Sequence, residues 1–204
     1  MRPELIVATK NRKKLGEIKH ILKDLRFTIH SLADFPKTPR IVENGSTFAE
    51  NAAKKAVAGG RFYKKLCMGE DSGLCVRELN GAPGVRSARF SGKDKSDEKN
   101  NLKLLGFLEG LPMKRRKAYY ACAVALADAS GLIGVVEGRC SGVIAYEPAG
   151  KFGFGYDPLF LIPEYGKTFG QLGAKIKHAR SHRYRALKKF RALLEKYIEK
   201  TRVR

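Results

Sequence analysis

The alternation of apolar and polar residues predicts a strand, a helix and a second strand at the start of the chain. Residues 4–9 are a short apolar run typical of a buried strand, and residues 27–32 are another. Between them, apolar residues recur at the three- and four-residue spacing of one helical face: Leu15, Ile18, Ile21, Leu22 and Leu25. The first part of the chain therefore has the pattern of an α/β protein.

A second helix is predicted from about residue 48 to residue 60. Thr47 and Glu50 before and within it have the spacing of a capping box, in which the side chains of two residues bind each other's backbone N–H groups. Asn51 and Lys55 are four residues apart, so they lie on one face of this helix. This face is polar within an otherwise alanine-rich segment.

The middle of the chain predicts a further helix and a long hairpin. Residues 66–68 and 74–79 are strand segments that flank the sequence GEDSG, for which the glycines and polar residues predict a turn. A third helix is predicted at residues 96–108. Two long strands, 118–127 and 132–146, are joined by the turn-like sequence DASG, and this pattern predicts an antiparallel hairpin.

The last part of the chain predicts a short strand at residues 159–162 and a helix that begins near Ser181. The docking face of this helix is an apolar stripe at three- and four-residue spacing: Leu187, Phe190, Leu193, Leu194, Tyr197 and Ile198. The order of elements predicts a mixed α/β sheet with flanking helices, in which the long central hairpin divides two lobes with a working cleft between them. Because 204 residues fall below the roughly 250 to 300 at which single cores stop growing, one domain over residues 1–204 is expected.

Composition favours a globular protein outside the membrane. The chain is 43% apolar and 30% charged, which excludes wholesale disorder. Its longest apolar run, residues 118–127, is shorter than the ~18 residues that suggest a membrane span, and the N-terminus lacks the pattern of a signal peptide. Cytoplasmic location is the resulting expectation. Four cysteines without a C-x-x-C pair are expected to pack as small apolar residues.

A net charge of +21 is the unusual feature of the composition. Such an excess attracts polyanions, so anionic substrates or partners are expected. The excess is greatest near the C-terminus, where two interpretations compete: a nucleic-acid-binding surface, or a solvated basic helix on an enzyme whose substrate carries phosphates. Few aromatic residues lie among these basic ones, which weakens the case for single-stranded nucleic acid and argues against specific nucleic-acid binding.

Two groups of polar residues could carry phosphate chemistry. The segment from Thr9 to Lys14 joins a predicted strand to a helix, where unpaired N–H groups and the helix dipole favour an anion; a plain N-cap at Asn11 is the alternative interpretation. Glu43, Glu70 and Asp71 are carboxylates in polar segments, and one or two such groups with substrate phosphates suffice for Mg²⁺. A carboxylate beside the metal could also accept a proton from an attacking water.

Two further groups could contact a planar base. In the sequence FGYDP, from Phe154 to Pro158, an aromatic residue next to glycine offers a flat surface, and Asp157 could accept hydrogen bonds from ring N–H groups. Lys177 and the pair His182-Arg183 lie at the beginning of the last helix. Core packing of the aromatic residue and of His182 is the alternative interpretation for both groups.

Taken together and in order, six segments resemble the inosine triphosphate pyrophosphatase family, the house-cleaning hydrolases of non-canonical purine nucleoside triphosphates. These segments are ATKNRKKLGEI, ENGSTFAENAAKKA, EDSGLCV, LNGAPGVRSARFSG, GFGYDPLF and SHRYRAL. The resemblance runs from the first strand to the last helix. It implies an elongated mixed α/β fold with two lobes, a homodimer, and Mg²⁺-dependent hydrolysis of ITP, XTP and their deoxy forms to the monophosphate and pyrophosphate.

The resemblance also implies a role for each matching residue. Asp71 corresponds to the proton acceptor and a metal ligand, and Glu43 to the other metal-binding carboxylate. The residues that match triphosphate-binding positions are Thr9, Lys10, Asn11, Arg12, Lys13, Lys14, Lys55 and Ser72. Those that match base- and sugar-binding positions are Phe154, Gly155, Tyr156, Asp157, Lys177, His182 and Arg183.

Two departures from the family pattern limit what the resemblance implies. Glu70-Asp71 stands where many members have two aspartates, which leaves open whether Glu70 reaches the metal directly or through water. The residues before Lys177 are not acidic, so the strictness of base choice is open as well. A related pyrophosphatase of the Maf type, acting on modified pyrimidine nucleotides, is the nearer alternative, and a basic nucleic-acid-binding protein is the more distant one.

Overall fold

The structure, a computed structural model, describes residues 3–202, so the first and last two residues of the expected domain lie outside it. Within this part of the chain, seven strands form one sheet in the order β2-β1-β3-β4-β5-β6-β7. Their bounds are β1 Glu4–Val7, β2 Thr28–Ser31, β3 Cys67–Val76, β4 Lys117–Ala127, β5 Leu132–Ile144, β6 Phe160–Ile162 and β7 Lys167–Thr168. The sheet is mixed, because β1 runs parallel to β2 and β3 whereas β6 runs antiparallel to β5 and β7.

Five α-helices accompany the strands in the described residues. Their bounds are α1 Arg12–Ile21, α2 Phe48–Tyr63, α3 Asp97–Phe107, α4 Phe169–Arg180 and α5 His182–Arg202. The mixed α/β fold, four of these helices and the β4–β5 hairpin agree with the sequence pattern. Helix α4 was not predicted, because its apolar residues form no clear stripe and Gly173 interrupts it with a backbone φ of 71°.

The turn predicted at GEDSG is wrong, since β3 runs without a break from Cys67 to Val76. The two glycines of this segment serve close packing. A Cβ atom at Gly69 would lie 2.0 Å from the carbonyl oxygen of Ala52 on α2, and one at Gly73 would lie 2.3 Å from the hydroxyl of Ser87. These glycines lie within a strand at points where neighbouring groups approach closely. The sequence alone does not distinguish such a glycine from one in a turn.

The described chain divides into two compact units. The first unit comprises the described parts of residues 1–71, 122–138 and 183–204, and the second comprises residues 72–121 and 139–182. Strands β3, β4 and β5 each contribute residues to both units. No helix of the described residues is long and apolar enough to cross a membrane.

The core of the first unit has an aliphatic part and an alanine-rich part. Leu5, Ile18, Cys122 and Phe190 belong to a buried cluster that joins β1, α1, β4 and α5. Alanines of α2 and β4 form a second cluster, Ala52, Ala56, Ala123, Ala125 and Ala127, whose small side chains allow helix and strand to approach closely. Close approach of α2 fixes the position of every side chain that it directs at β3.

The core of the second unit is built on aromatic and aliphatic residues. Tyr120, Phe160 and Phe169 pack together, with ring centroids 4.6 Å apart for the first pair and 5.5 Å for Phe160 and Phe169. Arg116 is buried beside this core, and its guanidinium donates to the carbonyl oxygens of residues 108, 144 and 145. Those bonds satisfy a charge that would otherwise be costly to bury.

All four cysteines are free thiols and buried. Burial raises the pKa of Cys67 to about 12, which keeps it protonated at neutral pH. The expectation that the cysteines pack as small apolar residues is confirmed.

The close packing of α2 on β3 predicts that Gly69→Ala is strongly destabilising. The added methyl would overlap the Ala52 carbonyl oxygen, and overpacking of this kind costs ~1–3 kcal/mol or more. Urea unfolding measures the loss. Gly16→Ala on α1 is the control, because its Cβ would meet no atom within 4 Å, and an alanine there should raise stability by up to ~1 kcal/mol. Equal unfolding midpoints for the two variants would contradict this account.

Candidate active site

Asp71 lies on β3 and is bound by two side chains of α2. Lys55 Nζ is 3.1 Å from Asp71 Oδ1, and Asn51 Nδ2 donates to Asp71 Oδ2 over 3.1 Å. The i, i+4 spacing predicted a shared face for Asn51 and Lys55, and the structure confirms it. Asp71 is only 7% exposed, and both of its carboxylate oxygens are bound by these side chains.

Glu43 reaches the same ammonium group from the segment before α2. Its Oε2 lies 2.7 Å from Lys55 Nζ, so two carboxylates from separate segments meet at one cation. Asn51 also fixes this segment, because its Oδ1 accepts from the N–H of Gly45 over 2.8 Å. Thr47 caps α2 by accepting from the N–H of Glu50. The structure therefore brings Glu43, Lys55 and Asp71 together.

The charges of this cluster change the pKa values of its members. Burial raises the pKa of the Asp71 carboxyl, and the nearby charges of Lys55 and Lys14 offset that only in part. Burial also disfavours the ammonium ion of Lys55, but the charges of Asp71 and Glu43 outweigh it, so the pKa of Lys55 rises. A carboxylate with a raised pKa binds a proton more strongly than an exposed aspartate does, which suits a proton acceptor.

Glu70 directs its side chain to a different set of partners, because successive residues of a strand point to opposite faces of the sheet. Its Oε2 lies 2.9 Å from Lys14 Nζ on α1, and its Oε1 lies 3.1 Å from Arg183 Nη2 on α5. The Cys122 thiol donates to the same Oε1 over 3.3 Å. Arg183 also donates to Glu17 of α1. A buried ionic network thus joins β3 to both helices.

The Arg183 guanidinium is bonded to carboxylates rather than presented to solvent, and its side chain is 1% exposed. Burial disfavours its charge, but Glu70 and Glu17 outweigh that effect and raise its pKa. The sequence assigned Arg183 to the base, together with the adjacent His182. The two side chains belong to different units, and Arg183 lies among the carboxylates of the first.

The segment from Thr9 to Lys14 forms the connection from β1 to α1. Asn11 is the N-cap of α1, since its Oδ1 accepts from the N–H of Lys14 over 3.1 Å, and Thr9 Oγ1 accepts from the N–H of Asn11. Asn11 therefore caps α1, and it does so at the helix start to which the phosphate-binding role is also assigned. Lys10, Arg12 and Lys13 are exposed around this helix start. A helix N-terminus with several exposed cations is suited to phosphate groups.

The second unit contains residues 153–157, the aromatic loop, named for Phe154 and Tyr156. Asp157 is 1% exposed, and its Oδ2 accepts from Lys177 Nζ over 2.6 Å and from the N–H of Phe154 over 2.8 Å. Lys177 Nζ also lies 4.3 Å from the centroid of the half-buried Phe154 ring. A buried ion pair thus fixes the backbone and the ring of Phe154, while Gly155 adopts a left-handed φ of 63°.

The other predicted residues of the second unit lie in three further places. His182 stacks on Tyr120, with centroids 4.6 Å apart and planes at 13°. Tyr156 is buried and donates its hydroxyl to the carbonyl of Ser87, so it belongs to the core and Phe154 is the accessible ring of the loop. Ser72 follows Asp71 directly on β3 and is half-buried.

Sequence reasoning gave no part in the site to several residues that contact predicted site residues, among them Asn51, Glu17 and Tyr120. Asn51 binds Asp71 and Glu17 binds Arg183, and each lies on a helix face shared with a predicted cation, Lys55 or Lys14. The three- or four-residue spacing from those lysines could have identified Asn51 and Glu17 in the sequence. No such pattern identifies Tyr120, because it lies within a continuous apolar run.

The carboxylates of the first unit fit a hard cation in type and number. No group of three or more His, Cys, Asp or Glu side chains suited to a metal occurs among the described residues. Glu43 and Asp71 nevertheless approach one point, the Lys55 ammonium, within 2.7 and 3.1 Å. Mg²⁺ commonly binds one or two protein carboxylates together with water and substrate phosphates, so this donor set suits it.

Known proteins resemble the chain over nearly its whole length. The profile of the Ham1 family matches residues 5–193. A dITP/XTP pyrophosphatase of Desulforamulus reducens is 46% identical over 95% of this chain and 96% of its own length. One from Geobacter sulfurreducens is 47% identical over the same shares. The solved structure of a HAM1 protein from Coxiella burnetii has a TM-score of 0.86 at 36% identity, covering 95% of this chain and 99% of that one.

The buried network around Arg183 predicts that Arg183→Met is strongly destabilising. The change leaves the carboxylates of Glu70 and Glu17 without this cation, and breaking a buried pair in that way costs about 3–5 kcal/mol. Urea unfolding measures the loss. Arg191→Met is the matched control on the same helix, because its pair with Glu195 is exposed and should contribute only about 0.3–0.5 kcal/mol. Similar losses in the two variants would contradict the role given to Arg183.

Proposed function

The chain belongs to the Ham1 family, and on that premise we propose that it hydrolyses non-canonical purine nucleoside triphosphates. The products are the nucleoside monophosphate and pyrophosphate, and ITP, dITP and XTP are the substrates. The substrate class rests on the relatives named dITP/XTP pyrophosphatases, which favour it over the modified pyrimidines of a Maf-type enzyme. The reaction type rests on one observation, the meeting of Glu43 and Asp71 at Lys55.

In the proposed reaction, a water molecule attacks the α-phosphorus and Asp71 accepts its proton. A bond forms between the water oxygen and the α-phosphorus, and the bond from that phosphorus to the bridging α–β oxygen breaks, so pyrophosphate leaves. Asp71 is a buried carboxylate at the point where Glu43 and Lys55 meet, which supports this role. Its orientation is supported by Asn51 and Lys55, which bind one carboxylate oxygen each.

Glu43 and Asp71 are the residues that we propose to hold Mg²⁺. When bound, the ion supplies positive charge next to the phosphate oxygens, which lowers the cost of the charge that develops there. Lys14 and Lys55 add fixed positive charge, with Thr9, Asn11 and Ser72 as further phosphate-binding groups. The exposed residues Lys10, Arg12 and Lys13, together with the net charge of +21, favour capture of a triphosphate.

The purine is assigned to residues of the second unit. Phe154 offers its ring to the base, and the backbone of Gly155 and Tyr156 carries that ring. Asp157, Lys177 and His182 supply polar groups for the base and sugar. Hypoxanthine and xanthine present O6 as an acceptor, which a donor such as His182 or Arg183 satisfies, whereas adenine presents an N6 donor and would leave groups unpaired.

Arg183 is assigned to the support of Glu70 in addition to its proposed contact with the base. Its bonds to Glu70 and Glu17 support this second role, since they join the guanidinium directly to both carboxylates. Glu70 in turn binds Lys14, so the orientation of a phosphate-binding lysine depends on the network.

We propose three further properties, which the resemblance to the family supports. The protein acts as a homodimer, requires Mg²⁺, and works in the cytoplasm, where the nucleotide pool that it cleans is used. Specific binding of nucleic acid is not part of the proposed function.

Asp71→Asn should lower pyrophosphate release from ITP by at least about 100-fold, because an amide cannot accept the proton of water. The amide matches the carboxylate in shape, so ITP binding by calorimetry should persist. Asp24→Asn is the control, since Asp24 is exposed on the surface of the same unit. ITP turnover in Asp71→Asn equal to that of the control would exclude Asp71 as the base.

Metal removal provides an independent check of the cation. EDTA should abolish pyrophosphate release from ITP and XTP, and added Mg²⁺ should restore it, since the proposed carboxylates bind hard cations. Glu43→Gln should raise the Mg²⁺ concentration needed for half-maximal rate. A rate that is insensitive to EDTA, or an unchanged Mg²⁺ requirement in Glu43→Gln, would contradict the assignment. ATP in place of ITP should give little pyrophosphate throughout.

A further inference from the structure

Helix α3 binds the aromatic loop at Gly155, the residue that follows Phe154. The N–H of Gly155 donates to Asp97 Oδ2 over 2.8 Å, and its carbonyl oxygen accepts from Asn101 Nδ2 over 3.1 Å. Asp97 and Asn101 are four residues apart, so they lie one above the other on the same face of α3. One helix face therefore binds both backbone polar groups of a single loop residue.

These bonds restrict the backbone on the C-terminal side of Phe154. On its N-terminal side, the N–H of Phe154 is bound by Asp157. Gly155 itself has a φ of 63°, a conformation that few other residues adopt without strain. Since the peptide groups before and after Phe154 are both anchored, the backbone that carries its ring is fixed, and the Lys177 ammonium contacts the ring itself.

Asn101 is buried, and its amide makes a contact that an apolar side chain could not make. The residue is 8% exposed, and its Oδ1 has no hydrogen-bond partner among the described residues. A buried acceptor without a partner is costly, and an apolar side chain of similar size would avoid that cost. The bond from Nδ2 to Gly155 is the contact that an apolar residue could not make.

We propose that Asn101 and Asp97 are positioning residues for the purine base. They act through Gly155 and hold the Phe154 ring, with the Asp157–Lys177 pair beside it, in the orientation that accepts hypoxanthine or xanthine. The inference rests on the proposed function and extends it to a helix with no other assigned part in the site. It predicts an effect on substrate affinity and base choice, with little effect on the bond-breaking step.

The chain offers a matched control in the neighbouring residue. Asn100 is also buried on α3, at 2% exposed, and its amide binds a different loop: Oδ1 accepts from the N–H of Ser91 over 2.7 Å and Nδ2 donates to the carbonyl of Ala88 over 3.4 Å. Substitution of either asparagine removes a buried amide from the same helix. Only Asn101 contacts the aromatic loop.

The experiment compares Asn101→Ala with Asn100→Ala by hydrogen exchange and by kinetics. Backbone exchange of residues 153–157 should accelerate in Asn101→Ala and stay unchanged in Asn100→Ala. The KM for ITP should rise by up to ~10-fold in Asn101→Ala, the scale of one lost hydrogen bond, while kcat changes less than ~3-fold. The preference for ITP over GTP should fall in Asn101→Ala alone.

A second pair of variants keeps the test decisive if both asparagine variants fold poorly. Asp97→Ala removes the acceptor of the Gly155 N–H at an exposed position, and Glu98→Ala removes the next exposed carboxylate of the same helix turn. Asp97→Ala should accelerate exchange of the loop and raise the KM for ITP, and Glu98→Ala should do neither.

The outcomes separate this inference from the proposed function. Unchanged exchange of residues 153–157 in Asn101→Ala and Asp97→Ala would overturn the anchoring by α3. Faster exchange with an unchanged KM and an unchanged ITP-to-GTP ratio would overturn the role in base selection. Absence of ITP hydrolysis in the unsubstituted protein would overturn the proposed function itself, and the exchange measurement would still decide whether α3 holds the loop.

Discussion

Two adjacent carboxylates on a buried strand are the constraint on which the first unit depends. Glu70 and Asp71 are each less than 10% exposed, and an unpaired buried charge is costly, so each requires its own cations and donors. Because strand residues alternate in direction, Asp71 takes its partners from α2, whereas Glu70 takes them from α1 and α5. The three helices are thereby tied to one strand by charge as well as by apolar packing.

The same arrangement gives Asp71 and Glu70 different chemistry. Asp71 keeps a raised pKa because burial outweighs its cations, and it is bound by groups that leave it able to accept a proton. Glu70 binds a lysine, an arginine and a thiol, and it serves as a support for the cationic end of the site. In the proposed function, adjacent carboxylates of one strand thus divide into a reactive and a structural member through their surroundings.

The second unit uses a similar device for a different purpose. There a single buried pair, Asp157 and Lys177, holds a backbone N–H and an aromatic ring. The loop that it stabilises from one side is bound by α3 from the other, through Asp97 and Asn101. Each unit therefore has a buried lysine–aspartate pair. The first pair suits charge and proton transfer, and the second suits the rigid presentation of a flat surface.

The sequence by itself determined most elements, because helical and strand periodicities are local. Its continuous family segments predicted the site residues, and those roles stay a prediction. It indicated α1, α2, α3 and α5, the long hairpin, and the shared face of Asn51 and Lys55. Tertiary structure alone decided that β3 continues through its glycines, and that Arg183 binds Glu17, which lies 166 residues away in the chain. It also decided that Asn101 holds Gly155. Such pairings form only when distant segments pack together, and a glycine or a charged residue has the same local pattern whatever partner the fold gives it.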